Sequence, residues 1–254
     1  RQKMKGTPDT VTPTILDEYV MLLRRLFKTQ DSDEVFAGAY LTGILPIKKY
    51  NTESALNNFC EYSMIDPAFL AACYGFTEDE VKMLAERYNA SMDNLKMWYD
   101  GYNIGREKSI YNPYSVMKAL QRGSCRSYWT TTGAYDSVIT YIQMNFDGLK
   151  DDIIRMLAGE RVYVNTSKFQ NDMNIVRSKN DVLTVLIHLG YLAYDDEKQQ
   201  CYVPNKEVTD ELLNAVEDTS WKRLADAITA SRNLLDATIA GNENAVAQAI
   251  DLAH

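Results

Sequence analysis

The sequence predicts a mainly α fold of the α+β type, and two patterns carry that prediction. Apolar residues recur at helical spacing over most of the 254 residues. Signals for strands are short and local. Because 46% of the residues are hydrophobic and 24% are charged, as in soluble globular domains, the chain can bury a sizeable core.

The first 51 residues are predicted to form part of an α/β layer. Residues 14–27 have the apolar spacing of an amphipathic helix. Residues 34–47 form a mostly apolar run that contains Pro46, which is typical of a buried parallel strand. No partner strand is visible upstream, so we expect residues 35–44 to pack against helices or to pair with another chain. Self-association is therefore one expectation.

Residues 52–177 are predicted to form a helical region. Thr77 and Glu80 have the spacing of a capping box, which predicts a helix start. Asn112 followed by Pro113 predicts another. Further helical patterns follow, one of them over residues 149–157.

Residues 178–218 predict a winged-helix-like unit. A helix over 181–189 should end at Gly190, and the stretches "YLAYD" and "CYVP" flank a turn, as in a two-stranded hairpin. The helix has no Arg or Lys after Lys179, and the turn reads "DDEK". Both elements would repel phosphate, so we interpret the unit as a packing or protein-contact module. Residues 219–254 predict two helices broken near Gly241.

Composition excludes several function classes. The net charge of −8 disfavours a broad nucleic-acid footprint but leaves room for a local basic patch. Two histidines and four widely spaced cysteines argue against a Ser-His-Asp triad and a zinc site, so no catalytic or metal-binding residue is predicted. No apolar run reaches the ~20 residues that span a bilayer, which predicts no membrane contact and a cytoplasmic location. No G-x-x-x-x-G-K-[ST] loop is present to hold a triphosphate.

The candidate ligand contacts are Thr42, Lys48 and Lys49. They would lie at the carboxyl end of the predicted strand, where a hydroxyl and two cations could contact a γ-phosphate. The alternative is a packed strand followed by a solvated lysine pair. Residues 97–105, "MWYDGYNIG", are either a ligand-facing loop or a tight turn between packed aromatic rings. The acidic clusters at 151–152 and 195–197 are interpreted as a solvated helix face and a hairpin turn.

Several ordered motifs resemble one family over nearly the whole chain. They include "LTGILPIKKY" (41–50), "WYDGY" (98–102), "YNPYSVM" (111–117), "SYWTTTGAYD" (127–136) and "DVLTVLIHLGYLAYD" (181–195). In these motifs the sequence is similar to bacterial AAA-ATPase-like proteins, which usually carry a C-terminal PD-(D/E)xK nuclease-like domain.

The resemblance implies that the chain is a fragment of a larger ATPase. Residues 1–51 would be a remnant of the AAA-like α/β core, 52–177 a helical lid region, and 219–254 a linker. The partners would be the missing N-terminal ATPase half and the nuclease-like domain, with a Walker A loop upstream and a D…E-x-K pattern downstream.

The implied function is that of a non-catalytic lid and sensor fragment, with Thr42 at a sensor position. The fragment alone would use no cofactor and would not be an enzyme, whereas the parent would be an ATPase that uses ATP and magnesium. The alternative is a protein- or nucleic-acid-interaction module built on the winged-helix-like unit, although no nucleic-acid contact is expected of this fragment.

Overall fold

A computed structural model describes residues 15–29, 32–43, 59–129, 146–167, 178–217 and 222–252. The chain divides into two compact units, Arg1–Glu61 and Tyr62–His254. The described part is mainly helical and has two small antiparallel sheets, which confirms the predicted mainly α (α+β) class. None of the described helices is long and apolar enough to cross a membrane.

The first unit contains two helices, α1 (Ile15–Phe27) and α2 (Ser32–Val35). The helix predicted for 14–27 is confirmed by α1. The ring of Phe27 lies 5.1 Å from that of Phe36 and 5.3 Å from that of Phe59, measured between centroids. These aromatic contacts tie the end of α1 to the residues that follow α2.

The buried strand predicted for 34–47 is wrong for the residues that the structure describes. Residues 36–43 form neither helix nor strand, and the side chains of Val35 and Tyr40 are 72% and 85% exposed. A strand needs a neighbour that pairs with its backbone N–H and C=O groups, and no described residue of the first unit forms a strand. An apolar composition alone therefore did not bury this segment.

The second unit contains a helical block, residues 68–128. Its elements are a 3₁₀ helix (Ala68–Cys73), α3 (Glu78–Tyr88), α4 (Met92–Tyr99), β1 (Tyr102–Ile104), β2 (Glu107–Ile110) and α5 (Pro113–Arg122). The strands β1 and β2 pair antiparallel.

Side-chain caps define the helix starts in this block, as predicted. The Thr77 side chain accepts a hydrogen bond from the Glu80 backbone N–H, and the Thr77 backbone N–H donates one to the Glu80 carboxylate at 2.8 Å, which completes a capping box. The Asn112 side chain accepts from two backbone N–H groups at the start of α5, and Pro113 is the first helical residue. Both predicted helix starts are confirmed.

A sheet block, residues 146–167 and 178–203, follows. Its elements are α6 (Leu149–Leu157), β3 (Val162–Tyr163), α7 (Lys179–His188), β4 (Ala193–Asp195) and β5 (Gln200–Tyr202). The strands form an antiparallel sheet in the order β3–β5–β4. The predicted helix, its end at Gly190 and the hairpin are confirmed, with Ala193 opposite Tyr202.

Three further helices complete the described chain: α8 (Lys206–Glu217), α9 (Lys222–Ile239) and α10 (Glu243–Leu252). The break between α9 and α10 lies at Gly241, as predicted. Separate apolar clusters fill the helical block and the sheet block. A third cluster places Ile104 and Ile110 of the first hairpin with Ala193 of β4, so the two blocks are packed together.

Candidate functional site

The candidate site is the junction between the two blocks, and α8 is its central element. The Asn205 Oδ1 accepts a hydrogen bond from the backbone N–H of Val208 at 3.1 Å, an N-cap contact. The Asn205 Nδ2 donates to the backbone carbonyl of Asp100, in the helical block, at 2.8 Å. One side chain therefore starts α8 and ties it to the helical block.

Two faces of α8 meet two different surroundings. Val208 and Leu212 belong to the sheet-block core. Glu207 and Glu211 each precede one of these residues, and they are 1% and 0% exposed. Because residues four apart share a helix face, both carboxylates point to the same side. There they meet α5 and the loop that follows it.

Glu207 is held by two donors from the helical block. Its Oε1 accepts a hydrogen bond from the Ser115 Oγ at 2.9 Å and another from the backbone N–H of Tyr128 at 2.8 Å. Ser115 is itself fully buried on α5. The Glu207 carboxylate on α8 thus joins two separate segments of the helical block.

Glu211 repeats this arrangement one turn later. Its Oε1 accepts a hydrogen bond from the Ser127 Oγ. Its Oε2 is buried and has no hydrogen-bond partner among the residues that the structure describes. Leaving a buried acceptor unpaired costs about 1–3 kcal/mol, so this position is unfavourable for a charged carboxylate.

Burial raises the pKa of both carboxyl groups. Loss of hydration raises the pKa of Glu207 to about 7, against the lowering effect of the hydrogen bonds from Tyr128 and Ser115. The negative charge of Glu211 raises the pKa of Glu207 further. Burial also raises the pKa of Glu211, although its hydrogen bond from Ser127 lowers it. Glu207 therefore takes up a proton at a higher pH than an exposed glutamate does.

Residues 97–105 form the other half of the junction. Gly101 has a φ of 111°, and a Cβ on it would lie 2.0 Å from the carbonyl oxygen of Pro204. The Tyr102 hydroxyl donates to the Gly190 carbonyl at 2.6 Å, and the Tyr202 hydroxyl donates to the Gly101 carbonyl at 3.1 Å. Of the two predicted alternatives, the structure shows the packed turn.

The predicted ligand contacts are not brought together in the described residues. Thr42 is exposed within the irregular segment 36–43, so it does not follow a buried strand. Lys48 and Lys49 lie outside the described residues. The proposed grouping of a hydroxyl with two lysines therefore stays a prediction without structural support.

The acidic clusters have paired members. Asp152 is buried rather than solvated, and its Oδ2 lies 2.6 Å from the Lys179 Nζ. Asp195, at the hairpin, pairs with Arg161 at 2.8 Å. In the described ranges, no group of three or more His, Cys, Asp or Glu side chains is arranged to hold a metal ion.

Sequence reasoning missed Glu207 and Glu211. The sequence contained a signal for them, because each glutamate directly precedes an apolar residue of the buried side of α8, Val208 or Leu212. Charged residues at such positions suggest buried carboxyl groups with donors from another element. The identity of those donors, Ser115, Ser127 and the Tyr128 backbone, depends on tertiary packing.

Comparisons with known proteins give one relative. Over 124 residues, 48% of the chain, the sequence is 34% identical to a protein of Azotobacter chroococcum mcd 1 described as "Uncharacterized protein in vnfD 5'region". The chain covers 23% of that protein's length. No family model and no solved structure matches the chain. The resemblance to AAA-ATPase-like proteins therefore stays a prediction.

Proposed function

We propose that residues 62–252 act as a non-catalytic body of an AAA-ATPase-like parent protein. In this proposal the helical block is a lid, and the sheet block is a winged-helix-like unit to which α8 fastens the lid. The chain alone neither binds nor hydrolyses ATP, since its sequence has no phosphate-binding loop. The AAA-like assignment is supported by the sequence resemblance, and the packing role by the geometry.

The burial of α7 is the observation that carries the packing role. In a winged helix that reads DNA, the helix before the hairpin presents side chains to the major groove. Here the six consecutive residues 182–187 are all buried, and the remaining residues of α7 are half-buried. This helix contributes core and offers no reading face.

The charges around α7 support the same conclusion. Lys179, its one basic residue besides His188, is already paired with Asp152. Burial lowers the pKa of His188 to about 4, so this side chain is neutral at physiological pH. A phosphate backbone would meet no available cation on this helix. The nucleic-acid version of the interaction module is therefore disfavoured.

Calorimetric titration of the chain with MgATP tests the proposal. We expect no binding in the micromolar range, because no ring of backbone amides can surround the phosphates. A parallel titration with labelled duplex DNA at low salt should also give no micromolar binding. The variant Lys179→Gln, compared with Lys198→Gln on the hairpin turn, should leave both results unchanged.

Two outcomes would overturn the proposal. Micromolar affinity for ATP by this chain alone would contradict the non-catalytic role. Salt-dependent duplex binding that is lost in Lys179→Gln and kept in Lys198→Gln would assign α7 a recognition role instead.

A further inference from the structure

The helix α1 has one apolar side that packs within its own unit and another that faces solvent. Leu23 is buried, and the Phe27 ring contacts other aromatic rings of the first unit. On the other side, Tyr19, Leu22 and Leu26 are 48%, 53% and 40% exposed. These three residues are three and four positions apart, so they form a continuous stripe along the helix, which we call the α1 stripe. A contiguous exposed apolar surface of this kind is typical of a binding surface.

The charges beside the α1 stripe change sign along the helix. Glu18 lies near the start of α1 and Arg25 near its end, and both side chains are exposed. Because seven residues span almost two turns, these side chains project from the same side of the helix, about 10 Å apart along its axis. Both are neighbours of Leu22 on the helix surface, at spacings of four and three residues. One margin of the stripe is therefore negative at one end and positive at the other.

This arrangement of charges is complementary to itself. In a two-fold dimer a surface meets its own copy, so residue i contacts residue j and j contacts i. When two copies of α1 lie antiparallel with their stripes in contact, Glu18 of each copy lies opposite Arg25 of the other. A parallel arrangement would bring like charges to the same end of the pair. The change of sign therefore favours a second copy of the chain in the antiparallel orientation.

We propose that the α1 stripe is a self-association surface, through which two copies of this chain pair their α1 helices antiparallel. Two contacts between Tyr19 and Leu22 form the centre of the interface, and two Glu18–Arg25 ion pairs flank it. A helix of 13 residues is only about 20 Å long, so this pair buries less than the roughly 1,600 Å² of a standard interface. The association is therefore weak and depends on concentration. It differs from the strand pairing that the sequence suggested for residues 35–44.

Sedimentation velocity of the whole chain, from micromolar to millimolar concentration, tests the apolar part of this surface. The sedimentation coefficient should rise with concentration. Leu22→Gln should weaken the association by about tenfold or more, because each dimer loses two buried leucines. Met83→Gln, which replaces an exposed apolar residue on α3, is the matched control and should change the association by less than about twofold. Thermal melts confirm that each variant folds.

Charge reversal tests the second copy and its orientation. Glu18→Arg and Arg25→Glu should each weaken self-association by about fivefold or more at low salt, because two attractive pairs become repulsive. An equimolar mixture of these two variants should associate within about twofold of the wild type, since each chain then supplies the charges that the other lacks. A different protein partner would give no such restoration.

Three results would overturn the proposal. They are a wild-type chain that stays monomeric at the highest concentration, equal losses in Leu22→Gln and Met83→Gln, and a mixture of the reversed variants that associates no better than either variant alone. A monomeric chain that binds phosphatidylserine vesicles, and loses this binding in Leu22→Gln, would overturn it in favour of a membrane-surface helix.

Discussion

Residues 36–43 and 205–212 both differ in burial from what their composition suggests. The first segment, "FAGAYLTG", is mostly apolar and lies exposed, whereas the second, "NKEVTDEL", is mostly polar and contains two fully buried carboxylates. The difference lies in the partners available. Glu207 and Glu211 accept hydrogen bonds from donors in the helical block, whereas no described strand pairs with residues 36–43.

The comparison shows that burial in this chain depends on satisfied backbone and side-chain groups as well as on hydrophobicity. A buried polar group is tolerated when donors are positioned for it. An apolar segment without a ladder partner keeps its backbone groups in water. The junction should therefore be sensitive to single changes, and the exposed segment should not.

The largest effect is expected at Gly101. Replacement by alanine places a Cβ 2.0 Å from the Pro204 carbonyl oxygen and imposes an unfavourable φ of 111°. We expect Gly101→Ala to lower the free energy of unfolding by about 3 kcal/mol or more, measured by urea denaturation. Gly123→Ala is the control, since Gly123 also has a positive φ but faces open space, and it should cost about 1 kcal/mol. Equal losses would show that the close approach at Pro204 does not matter.

The next largest effect is a pH-dependent gain in the free energy of unfolding of the Glu207→Gln variant. Because the folded-state pKa of Glu207 is raised from 4.5 to about 7, its contribution to stability is present below pH 4.5 and lost as the pH rises through 7. Glutamine can keep both accepted hydrogen bonds without a charge. The variant should match the wild type near pH 4.5 and exceed it by up to about 3 kcal/mol at pH 8.

The difference between variant and wild type isolates Glu207 from other titrating groups. The lowered pKa of His188 acts in the opposite direction, since it favours the folded state as the pH rises through 6.5. Glu86→Gln, an exposed change on α3, should show no such pH-dependent difference. A gain in Glu207→Gln that is the same at pH 5 and pH 8 would contradict the assignment.

A smaller loss in the free energy of unfolding is expected for the Ser115→Ala variant. The change removes one of the two donors to Glu207 and leaves a buried acceptor less satisfied, which should cost about 1–2 kcal/mol at pH 8. Ser231→Ala, at an exposed position on α9, is the matched control and should stay within about 0.5 kcal/mol. The urea midpoints of the two variants would distinguish these outcomes.

The smallest effect is expected in the exposed segment. Tyr40 is 85% exposed, so Tyr40→Ser should change the free energy of unfolding by less than about 0.5 kcal/mol. A loss above about 2 kcal/mol in urea denaturation would show that Tyr40 is packed in solution and would contradict its exposure.

Local signals predicted much of the fold. Thr77, Asn112 and Gly190 set helix ends through contacts within a few residues, so the sequence alone located them. The segment 36–43 was misjudged because the pattern of a parallel strand does not reveal whether partner strands exist. The candidate site was missed because Ser115 and Glu207 are 92 residues apart in the chain.

Native-state hydrogen exchange tests most directly whether the junction makes the two blocks one rigid body, as the proposed function requires. Amide protons of α5 and α7 would be followed in increasing denaturant. We expect the amides of both helices to exchange with the same opening free energy, because the carboxylates of α8 hold the two blocks together through hydrogen bonds. A lower, separate opening free energy for either helix, unchanged in Glu207→Gln, would show that the blocks unfold independently and would contradict the account.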